Sequence, residues 1–523
     1  MKNLAFLALL LFAASCTSVA KFNSHLEKPL TPAQMHEDVE TAHAALRKYH
    51  PKLYWFIPQS ELNRKFDSLK TALNQPLQPN EFFYQLAPVI GSVKEGHLRL
   101  RPLQKKLTKE EEKHFKKLKP LFGSFEYRIF DDRMYILKNK DSIQKIPVGA
   151  EVLKINDMPV QQMIEKYRPL MYSDAENTTY QKYSMVKSFF GLYSVDHHLQ
   201  TQAKLDLKYR DSLHSHLIKR DTLDKFRKDF IAKKKKKTKK PTEEKQKLSP
   251  EEQKKKDSLA QRKAEERKVR FVRFLDEDSA TAYLKIRKFA GTSKSFYKRE
   301  FQKIKDAGSK TLVIDLRDNP GGSLHEINDL HGYLTTKEYT LIKPAQMNFS
   351  KANLHRDYFR GKPVGVKMAL APFYPIYFVA SYFSAHDKNG KHYLSDKAAK
   401  PKKPHEDNFE GKVYVLINGG SFSASSVFAA KLKDDERATL IGEETGGHND
   451  GTVAGFYRTV KLPNSKLKLP VSMLVIQPNI EFDGSKKGVT PHIEILERAE
   501  DLAVGRDRVM DWVMADISKS VQD

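Results

Sequence analysis

A serine-rich stretch directly follows an apolar run, and its residues are the ones most able to do chemistry. The run KVYVLI at 412–417 is β-branched and aromatic, which predicts a buried strand ending at Asn418-Gly419-Gly420. Apolar residues then recur at helical spacing from Val427, so a helix begins near residues 423–425. A serine on such a tight turn presents its hydroxyl away from the sheet, and N–H groups at the helix start can hold a developing oxyanion. The alternative interpretation is a serine-rich helix cap.

A serine near neutral pH is a poor nucleophile, so this chemistry would need a base. His97 lies in GSVKEGHLRL, at the junction between a predicted helix over 79–90 and the strand that follows it. A lone histidine at such a junction is usually structural and gains a role only if the chemistry requires a base. His448 is a rival base, ranked below His97, whereas His355 and His405 lie in irregular polar stretches and are interpreted as surface groups.

The sequence shows no pattern typical of metal or nucleotide sites. His197 and His198 are adjacent rather than helically spaced, and Cys16 is the only cysteine. A glycine loop of the phosphate-binding kind is also missing from the sequence. We therefore expect no cofactor and no metal.

A second strand-and-turn segment stands upstream of the serines. Residues 311–322, TLVIDLRDNPGG, predict a buried strand ending in a turn whose glycines free backbone N–H groups, although Asn-Pro-Gly also favours a plain β-turn. A helix over 324–334 follows. Strand, loop and helix thus alternate here and again at Ser423, and further strands are predicted at 438–442 and 473–476. This alternation predicts an α/β layered core.

The N-terminal half of the sequence shows different secondary-structure patterns. Helices are predicted to begin at Thr31-Pro32, near Leu62 and at Pro79. Short strands with a glycine turn then make residues 120–171 β-rich, and GAEVLKINDMPV at 149–160 resembles the second half of a PDZ domain. Such domains bind extended peptide ends by adding a strand to a sheet edge. We interpret the aromatic run over 373–383 as core packing, with a substrate groove as the alternative.

The start of the chain looks like a secretory signal. Residues 1–15 carry Lys2, an apolar run and small residues before Cys16, as in a bacterial lipobox. The prediction is that Cys16 is acylated, which anchors the protein by lipid in the bacterial cell envelope. An ordinary cleavable signal with an incidental cysteine is the alternative.

The formal charge of +27 over 523 residues is concentrated in lysine runs over 232–270. That segment has almost no large apolar residue and predicts a solvated insertion. A secreted protein would rarely meet nucleic acid, so we expect no nucleic-acid partner. Attraction to anionic lipid or a cell-surface polymer is the alternative use of this charge.

Several motifs in order resemble one family. The turn LRDNPGG, the segment SFSASS, the segment IGEETGG, the closing GVTPHIEI and the PDZ-like stretch are similar to the C-terminal-processing (tail-specific) serine peptidases. The resemblance implies an α/β ClpP/crotonase-like spiral core with an inserted PDZ domain. It also implies cleavage of peptide bonds near the C-termini of proteins or peptides.

The same resemblance implies roles for residues. It places the nucleophile at Ser423, but the lysine that many members use as base is missing, because His448 stands there. A branch similar to the tricorn core protease takes its base from a Gly-His element, which fits His97, and carries a glutamate that maps to Glu481. Glu443 and Glu444 are rival orienting acids.

The chemistry of such a triad is complete in outline. His97 would take the Ser423 proton, and Glu481 would fix the imidazole tautomer. The N–H of Ala424 and one from Gly321 or Gly322 would form the oxyanion hole.

These interpretations predict five segments. They are a signal peptide over 1–15, a helical region over 16–105 carrying His97, a PDZ-like domain over 106–175, a connector with the lysine-rich insertion over 176–270, and a catalytic core over 271–523. The predicted function is a lipid-anchored serine endopeptidase acting on proteins or peptides of the envelope. A non-catalytic scaffold that binds peptide ends, and an anionic-surface binding protein that uses the lysine run, are the alternatives.

Overall fold

A computed structural model describes residues 18–140, 146–220, 264–291, 294–348, 364–383, 385–388, 390–394 and 396–522. The predicted signal over 1–15, Cys16 and nearly all of the lysine-rich insertion lie outside these residues. Within the described ranges, no helix is both long enough and apolar enough to cross a membrane.

Helices form the N-terminal part, as predicted. They are α1 Val19–Glu27, α2 Pro32–Tyr49, α3 Gln59–Ala72, α4 Pro79–Gly91 and α5 Lys109–Phe115. Thr31 caps α2, because its hydroxyl accepts the N–H of Gln34 while the Gln34 side chain accepts the N–H of Thr31. After α4 the backbone turns and runs through residues 97–101 without helical structure.

A β-rich unit follows, which we call the β-module (residues 120–220). Its elements are β1 Phe125–Phe130, β2 Arg133–Asn139, β3 Glu151–Ile155, β4 Met158–Pro159, α6 Val160–Tyr167, α7 Thr179–His197, β5 Gln202–Tyr209 and β6 Ser212–Lys219. The sheet is antiparallel with the order β1-β2-β3-β5-β6, and β4 pairs with β3. The sheet therefore continues past the boundary predicted at residue 175, because β5 pairs with β3 along four residue pairs.

The remaining described residues form an α/β unit, which confirms the predicted fold class. Its elements are β7 Arg270–Phe274, β8 Thr281–Ile286, α8 Lys294–Asp306, β9 Thr311–Asp315, α9 Leu324–Gly332, β10 Ala345–Met347, α10 Val364–Leu370, α11 Tyr374–Phe383, β11 Ala385–Lys388, β12 Lys391–Leu394, β13 Lys412–Ile417, α12 Ala424–Asp434, β14 Thr439–Gly442, β15 Thr452–Val453, β16 Arg458–Lys461, β17 Lys468–Val471, β18 Leu474–Ile476, β19 Ile493–Glu494, α13 Ala499–Val504 and α14 Arg508–Gln522. Its main sheet has the order β19-β14-β13-β9-β8-β7 and is parallel except for the β7–β8 pair. The carboxyl ends of β9 and β13 are thus neighbours, which brings the LRDNPGG turn beside the serine-rich turn.

Three apolar clusters hold these parts together. The first joins α2–α4 and the β-module, the second fills the space between one face of the main sheet and its helices, and the third packs α14 on the other face. The β16–β17 hairpin lies in the first cluster although it belongs to the α/β unit, and its Leu462, Leu467 and Leu469 are fully buried there. The predicted core packing of the aromatic run at 373–383 is wrong for Phe373 and Phe378, whose exposed fractions are 59% and 44%.

Candidate active site

Ser423 occupies a strained turn between β13 and α12. Its φ of +60° and ψ of −122° are rarely adopted by a residue with a Cβ, so the surrounding contacts must hold it there. Two of them are visible: Phe422 N–H donates to the Asn319 carbonyl at 3.0 Å, and Ser421 Oγ donates to the Leu316 carbonyl at 2.8 Å. Ser423 Oγ itself has no hydrogen bond to any described residue. The strand-to-helix turn therefore presents a free hydroxyl, as the sequence predicted.

Two unpaired N–H groups lie beside that turn. Ala424 and Gly322 donate no backbone hydrogen bond to any described residue, whereas the Gly321 N–H donates to Asn319 Oδ1 at 2.9 Å. A Cβ on Gly321 would lie 2.7 Å from the Ala424 nitrogen and 2.6 Å from the Phe422 carbonyl oxygen, so the two turns approach too closely for a side chain. Of the two glycines predicted as oxyanion donors, Gly322 is the one with an N–H to offer.

His97 lies against the same turn. Its ring stacks on Phe422 at 4.7 Å between centroids, and Phe422 in turn stacks on Tyr180 at 4.0 Å. Nδ1 of His97 is 3.1 Å from Thr452 Oγ1 and 3.3 Å from Glu95 Oε1. Nε2 makes no hydrogen bond to any described residue, and this includes Ser423. The structure thus packs His97 against Phe422, the residue before Ser423, and leaves Nε2 of His97 without a hydrogen bond to a described residue.

Glu95 is the carboxylate that holds the histidine. Its side chain is 2% exposed, and Oε1 accepts the backbone N–H of His97 at 3.0 Å in addition to its contact with Nδ1. Burial alone would lower the pKa of His97, but the contact with Glu95 and its charge outweigh burial and raise it above its usual value. A carboxylate oxygen accepts hydrogen bonds, so the contact with Glu95 Oε1 favours the tautomer with its proton on Nδ1. Nε2 is then free to accept a proton.

A second buried acid, Asp174, ties this loop to the loop of His448. Asp174 accepts the N–H of Gly96 at 2.7 Å and the N–H of His448 at 3.3 Å. Burial, followed by the nearby Glu95 charge, raises the pKa of Asp174 to about 7. Glu95 and Asp174 thus form a buried acid pair behind the histidine.

The prediction that Glu481 orients His97 does not agree with the structure. Glu481 is exposed, and its N–H donates to Asp434 Oδ1 at 3.1 Å, at the far end of α12 from Ser423. Eleven helical residues rise about 16 Å, so Glu481 stands well away from the serine. The carboxylate that contacts the imidazole is instead that of Glu95, two residues before His97. Sequence reasoning missed it, although its signal was available as an acid within the Glu-Gly-His element.

The rival residues are engaged elsewhere. Glu443 accepts from the Tyr183 hydroxyl at 3.0 Å, and Glu444 accepts the Gly488 N–H at 2.6 Å. The His448 ring packs between Trp55, Phe56 and Phe482, and its Nε2 donates to the Ser485 carbonyl at 2.9 Å. Burial lowers its pKa. The ring of His448 is thus packed against aromatic side chains, and its Nδ1 accepts the Asp450 N–H at 3.3 Å.

The β-module also reaches this site. Nη1 and Nη2 of Arg128, on β1, donate hydrogen bonds to Oδ1 and Oδ2 of Asp318 at 2.7 and 2.9 Å. Asp318 lies in the LRDNPGG turn, where its N–H donates to Asn418 Oδ1 at 2.8 Å. A bidentate ion pair therefore links the edge strand of the β-module to the turn that carries Gly322. Among the described residues, no group of three or more His, Cys, Asp or Glu side chains is placed to hold a metal ion.

Residues 280–495 match the family model described as Peptidase family S41. These residues form an S41 domain. The S41 domain contains Ser423, Ala424 and Gly322, whereas His97, Glu95 and Asp174 come from the residues before it.

Curated relatives align over part of their length. An uncharacterized protein of Chlamydia muridarum is 27% identical over 226 residues, which cover 37% of this chain and 35% of the relative. A probable CtpA-like serine protease of Staphylococcus saprophyticus is 24% identical over 215 residues, which cover 41% of this chain and 33% of the relative. The alignments thus span about a third of the length of each relative.

Solved structures share the fold over a longer range. Mature CPAF complexed with lactacystin superposes with a TM-score of 0.56 at 16% identity, covering 94% of this chain and 98% of CPAF. A CPAF mutant gives a TM-score of 0.57 at 15% identity, covering 90% and 94%. At these identities the likeness concerns the fold, and it extends over the helical N-terminal part and the β-module as well as the S41 domain.

Proposed function

We propose that this protein is a serine endopeptidase with Ser423 as nucleophile, His97 as base and Glu95 as the carboxylate that orients the base. The observation that carries the proposal is the turn itself. Ser423 projects an unbonded hydroxyl from a left-handed conformation, with the free N–H groups of Ala424 and Gly322 beside it. Any helix start leaves an N–H such as that of Ala424 unpaired, but a plain helix cap would need neither the strained φ of Ser423 nor a second unpaired N–H, that of Gly322, on the neighbouring turn.

The mechanism follows from these positions. As substrate binds, Nε2 of His97 takes the proton of Ser423 Oγ, and Oγ attacks the carbonyl carbon of the peptide bond. The N–H groups of Ala424 and Gly322 receive the negative charge on the carbonyl oxygen; one such donor typically contributes roughly 3 kcal/mol. Catalytic hydrogen bonds often form only in the substrate complex, which is consistent with the unpaired Nε2 of the free protein.

Departure of the amine completes acylation, and deacylation then uses the same groups again. The protonated His97, stabilised by Glu95, gives its proton to the departing amine, which leaves an acyl ester on Ser423. Water then enters, His97 takes its proton, and the hydroxide oxygen attacks the ester. The protonated His97 returns this proton to Ser423 Oγ as the bond between Oγ and the acyl carbon breaks, and the acid product leaves.

We further propose that the β-module selects peptide ends. Strand β1 is a sheet edge, and between it and α7 lies a groove of about 750 Å³. An extended peptide fits such a groove by adding a strand to the edge. Arg220 lines the groove and supplies positive charge for a terminal carboxylate. Asp318, whose turn carries Gly322, lines it too. The substrates would be proteins or peptides of the bacterial envelope, where acylation of Cys16 would anchor the enzyme.

A fluorophosphonate probe tests the proposed function on the protein without residues 1–20. Labelling should be lost in Ser423→Ala, because the nucleophile is gone, and nearly lost in His97→Ala. The matched control is His325→Ala, an exposed histidine on α9, which should label like wild type.

The same probe separates the candidate acids. Glu95→Gln should label slowly and Glu481→Gln at the wild-type rate; the opposite pattern would return the orienting role to Glu481. The wild-type protein should also be tested with the β1–α7 groove empty and, separately, with a saturating C-terminal peptide. A folded wild type that fails to label under both conditions would support the non-catalytic scaffold instead.

A further inference from the structure

Residues 97–101 place three basic side chains on one side of the backbone. Leu98 and Leu100 are buried, at 1% and 4% exposure, whereas His97 and Arg99 are partly exposed and Arg101 is exposed. This alternation is that of an extended segment, and Arg101 indeed pairs with Lys468 of β17 in an antiparallel bridge. The two arginines therefore follow His97 along the same face.

That face borders a cavity of about 450 Å³, which His97, Arg99 and Arg101 all line. The cavity lies between the N-terminal part, helix α7 and the β16–β17 hairpin. The other wall residues carry no charge. Some are apolar, such as Leu170 and Leu192, and others are polar, such as Thr459. None of the wall residues is an aspartate or a glutamate.

The two arginines of the cavity wall have no counterion among the described residues, whereas His97 is paired with Glu95. Arg99 donates to the hydroxyls of Ser184 and Ser188 on α7, the latter at 3.1 Å, and neither Arg99 nor Arg101 forms an ion pair with a described acidic residue. Arg128, by contrast, forms an ion pair with Asp318. A partly buried guanidinium held by neutral hydroxyls retains the capacity to bind an anion in a planar, bidentate way.

We propose that this cavity binds a carboxylate of the substrate, located about two to four residues from the scissile bond. The inference rests on the proposed function, since the distance is counted from His97. Alternate residues of an extended peptide are spaced by about 6.6 Å, so a peptide running alongside residues 97–101 would bring every second side chain opposite Arg99 and then Arg101. The carboxylate is either that of an acidic side chain or the terminal one of a short tail.

Peptide binding to the Ser423→Ala protein tests the cavity without turnover. The probes are dansyl-Ala-Ala-Ala-Glu-Ala-Glu-Ala-Ala-amide, the same peptide with Gln for Glu, and the Gln peptide with a free carboxylate. If side chains are read, the Glu peptide should bind about tenfold more tightly than the Gln amide, as expected for one charge-assisted pair. If the terminal carboxylate is read, the free-acid peptide should gain instead.

Each gain should disappear on Arg101→Gln, and on Arg99→Gln, while Arg64→Gln should keep it. Arg64 is an exposed arginine on α3 that is absent from the cavity wall, and it serves as the matched control. Arg101 makes no side-chain hydrogen bond to a described residue, so its variant separates binding from folding. A free-acid gain that survives both cavity variants belongs to the β-module groove and contradicts the proposal, as does equal affinity for all three peptides.

The two proposals fail in distinguishable ways. Fluorophosphonate labelling with no arginine-dependent peptide binding would overturn the carboxylate cavity and leave the serine mechanism intact. Arginine-dependent binding in a protein that never labels would overturn the peptidase and keep the cavity as a peptide-binding site.

Discussion

His97 owes its chemical character to one neighbour. The Glu95 carboxylate is almost fully buried, lies 3.3 Å from Nδ1 and raises the pKa of the imidazole against the opposing effect of burial. The base of the proposed mechanism works only when it is neutral. Activity should therefore be low at pH values below the raised pKa of His97 and should increase as the pH rises through that pKa.

Replacing Glu95 by Gln should change this profile in two ways. Without the carboxylate the pKa of His97 falls, so the acid limb of the pH profile moves to lower pH. The plateau should drop by roughly 10²–10⁴-fold, because the tautomer is no longer fixed by a charge. The measurement is the second-order rate of fluorophosphonate labelling over the range from weakly acidic to weakly basic pH. A variant that loses rate but keeps the wild-type acid limb would mean that Glu95 does not set the pKa of His97.

The sequence allowed Ser423, Ala424 and His97 to be predicted as site residues, because each stands at a change of secondary structure, and the structure places His97 against the turn of Ser423. Glu481 was predicted as the orienting acid, but its N–H contacts Asp434, and the carboxylate beside His97 is that of Glu95. Glu95 acts through a local turn in which its side chain accepts the N–H two residues on, and such turns leave no periodic pattern. Gly321 and Gly322 could not be ranked either, since only the Asn319 side chain decides which N–H is occupied.

At the scale of elements, the site depends on how closely two turns of the main sheet approach. The turn after β9 and the turn after β13 touch at Gly321, where the missing Cβ would meet backbone atoms of residues 422 and 424. Backbone atoms cannot swing aside as the end of a flexible side chain does. The parallel pairing of β9 with β13 thus fixes the distance between Ser423 and the proposed oxyanion donors.

Gly321→Ala should lower both activity and stability. Its φ of +90° strains an alanine, and the added Cβ would force the two turns apart. We expect labelling to fall by roughly 100-fold or more and the free energy of unfolding to fall by about 2–4 kcal/mol.

Gly308→Ala is the control, because its φ is +64° and nothing lies within 4 Å of the added Cβ. It should cost only the backbone strain, about 1–2 kcal/mol, and keep full labelling. Urea denaturation and fluorophosphonate kinetics measure the two quantities. Equal effects of both substitutions would show that the contact between the turns is unimportant.

At the scale of the whole molecule, the proposed catalytic groups come from two apolar cores. His97 and Glu95 belong to the N-terminal part, whereas Ser423 belongs to the S41 domain. The β16–β17 hairpin of the S41 domain joins them by packing into the first core. At its tip, the fully buried carboxylate of Asp38 accepts the N–H groups of Asn464 and Ser465 at 2.8 and 2.7 Å.

Asp38→Ala should loosen this junction. Two backbone N–H groups would lose their acceptor, at a cost of about 2–4 kcal/mol in the free energy of unfolding. The rate at which the probe labels Ser423 should also fall, because His97 is no longer held in a fixed position. Glu40→Ala, an exposed glutamate on the same helix, should leave stability within about 0.5 kcal/mol of wild type. Unchanged stability in Asp38→Ala would mean that the hairpin is held by its leucines alone.

Long-range features of this kind are what the sequence could not predict. The α/β class, the helical N-terminal part and the β-rich segment were predictable, because hydrophobic residues recur in each at the spacing typical of its helices or strands. The bond between Asp38 and Asn464 joins residues 426 positions apart, and no local pattern announces it. The boundary at residue 175 was misplaced for a similar reason: β5 is a separate hydrophobic run whose pairing with β3 is decided in three dimensions.

The contact between His97 and Thr452 joins residues 355 positions apart. A ribosome therefore releases the base early and the nucleophile late, with the β-module made in between. Until the hairpin has docked into the N-terminal core, a nascent polypeptide would hold a histidine without a serine, and then a serine without a positioned histidine. Under the proposed mechanism, hydrolysis begins only when synthesis and docking are complete, so the order of the sequence itself delays proteolysis until the enzyme is whole.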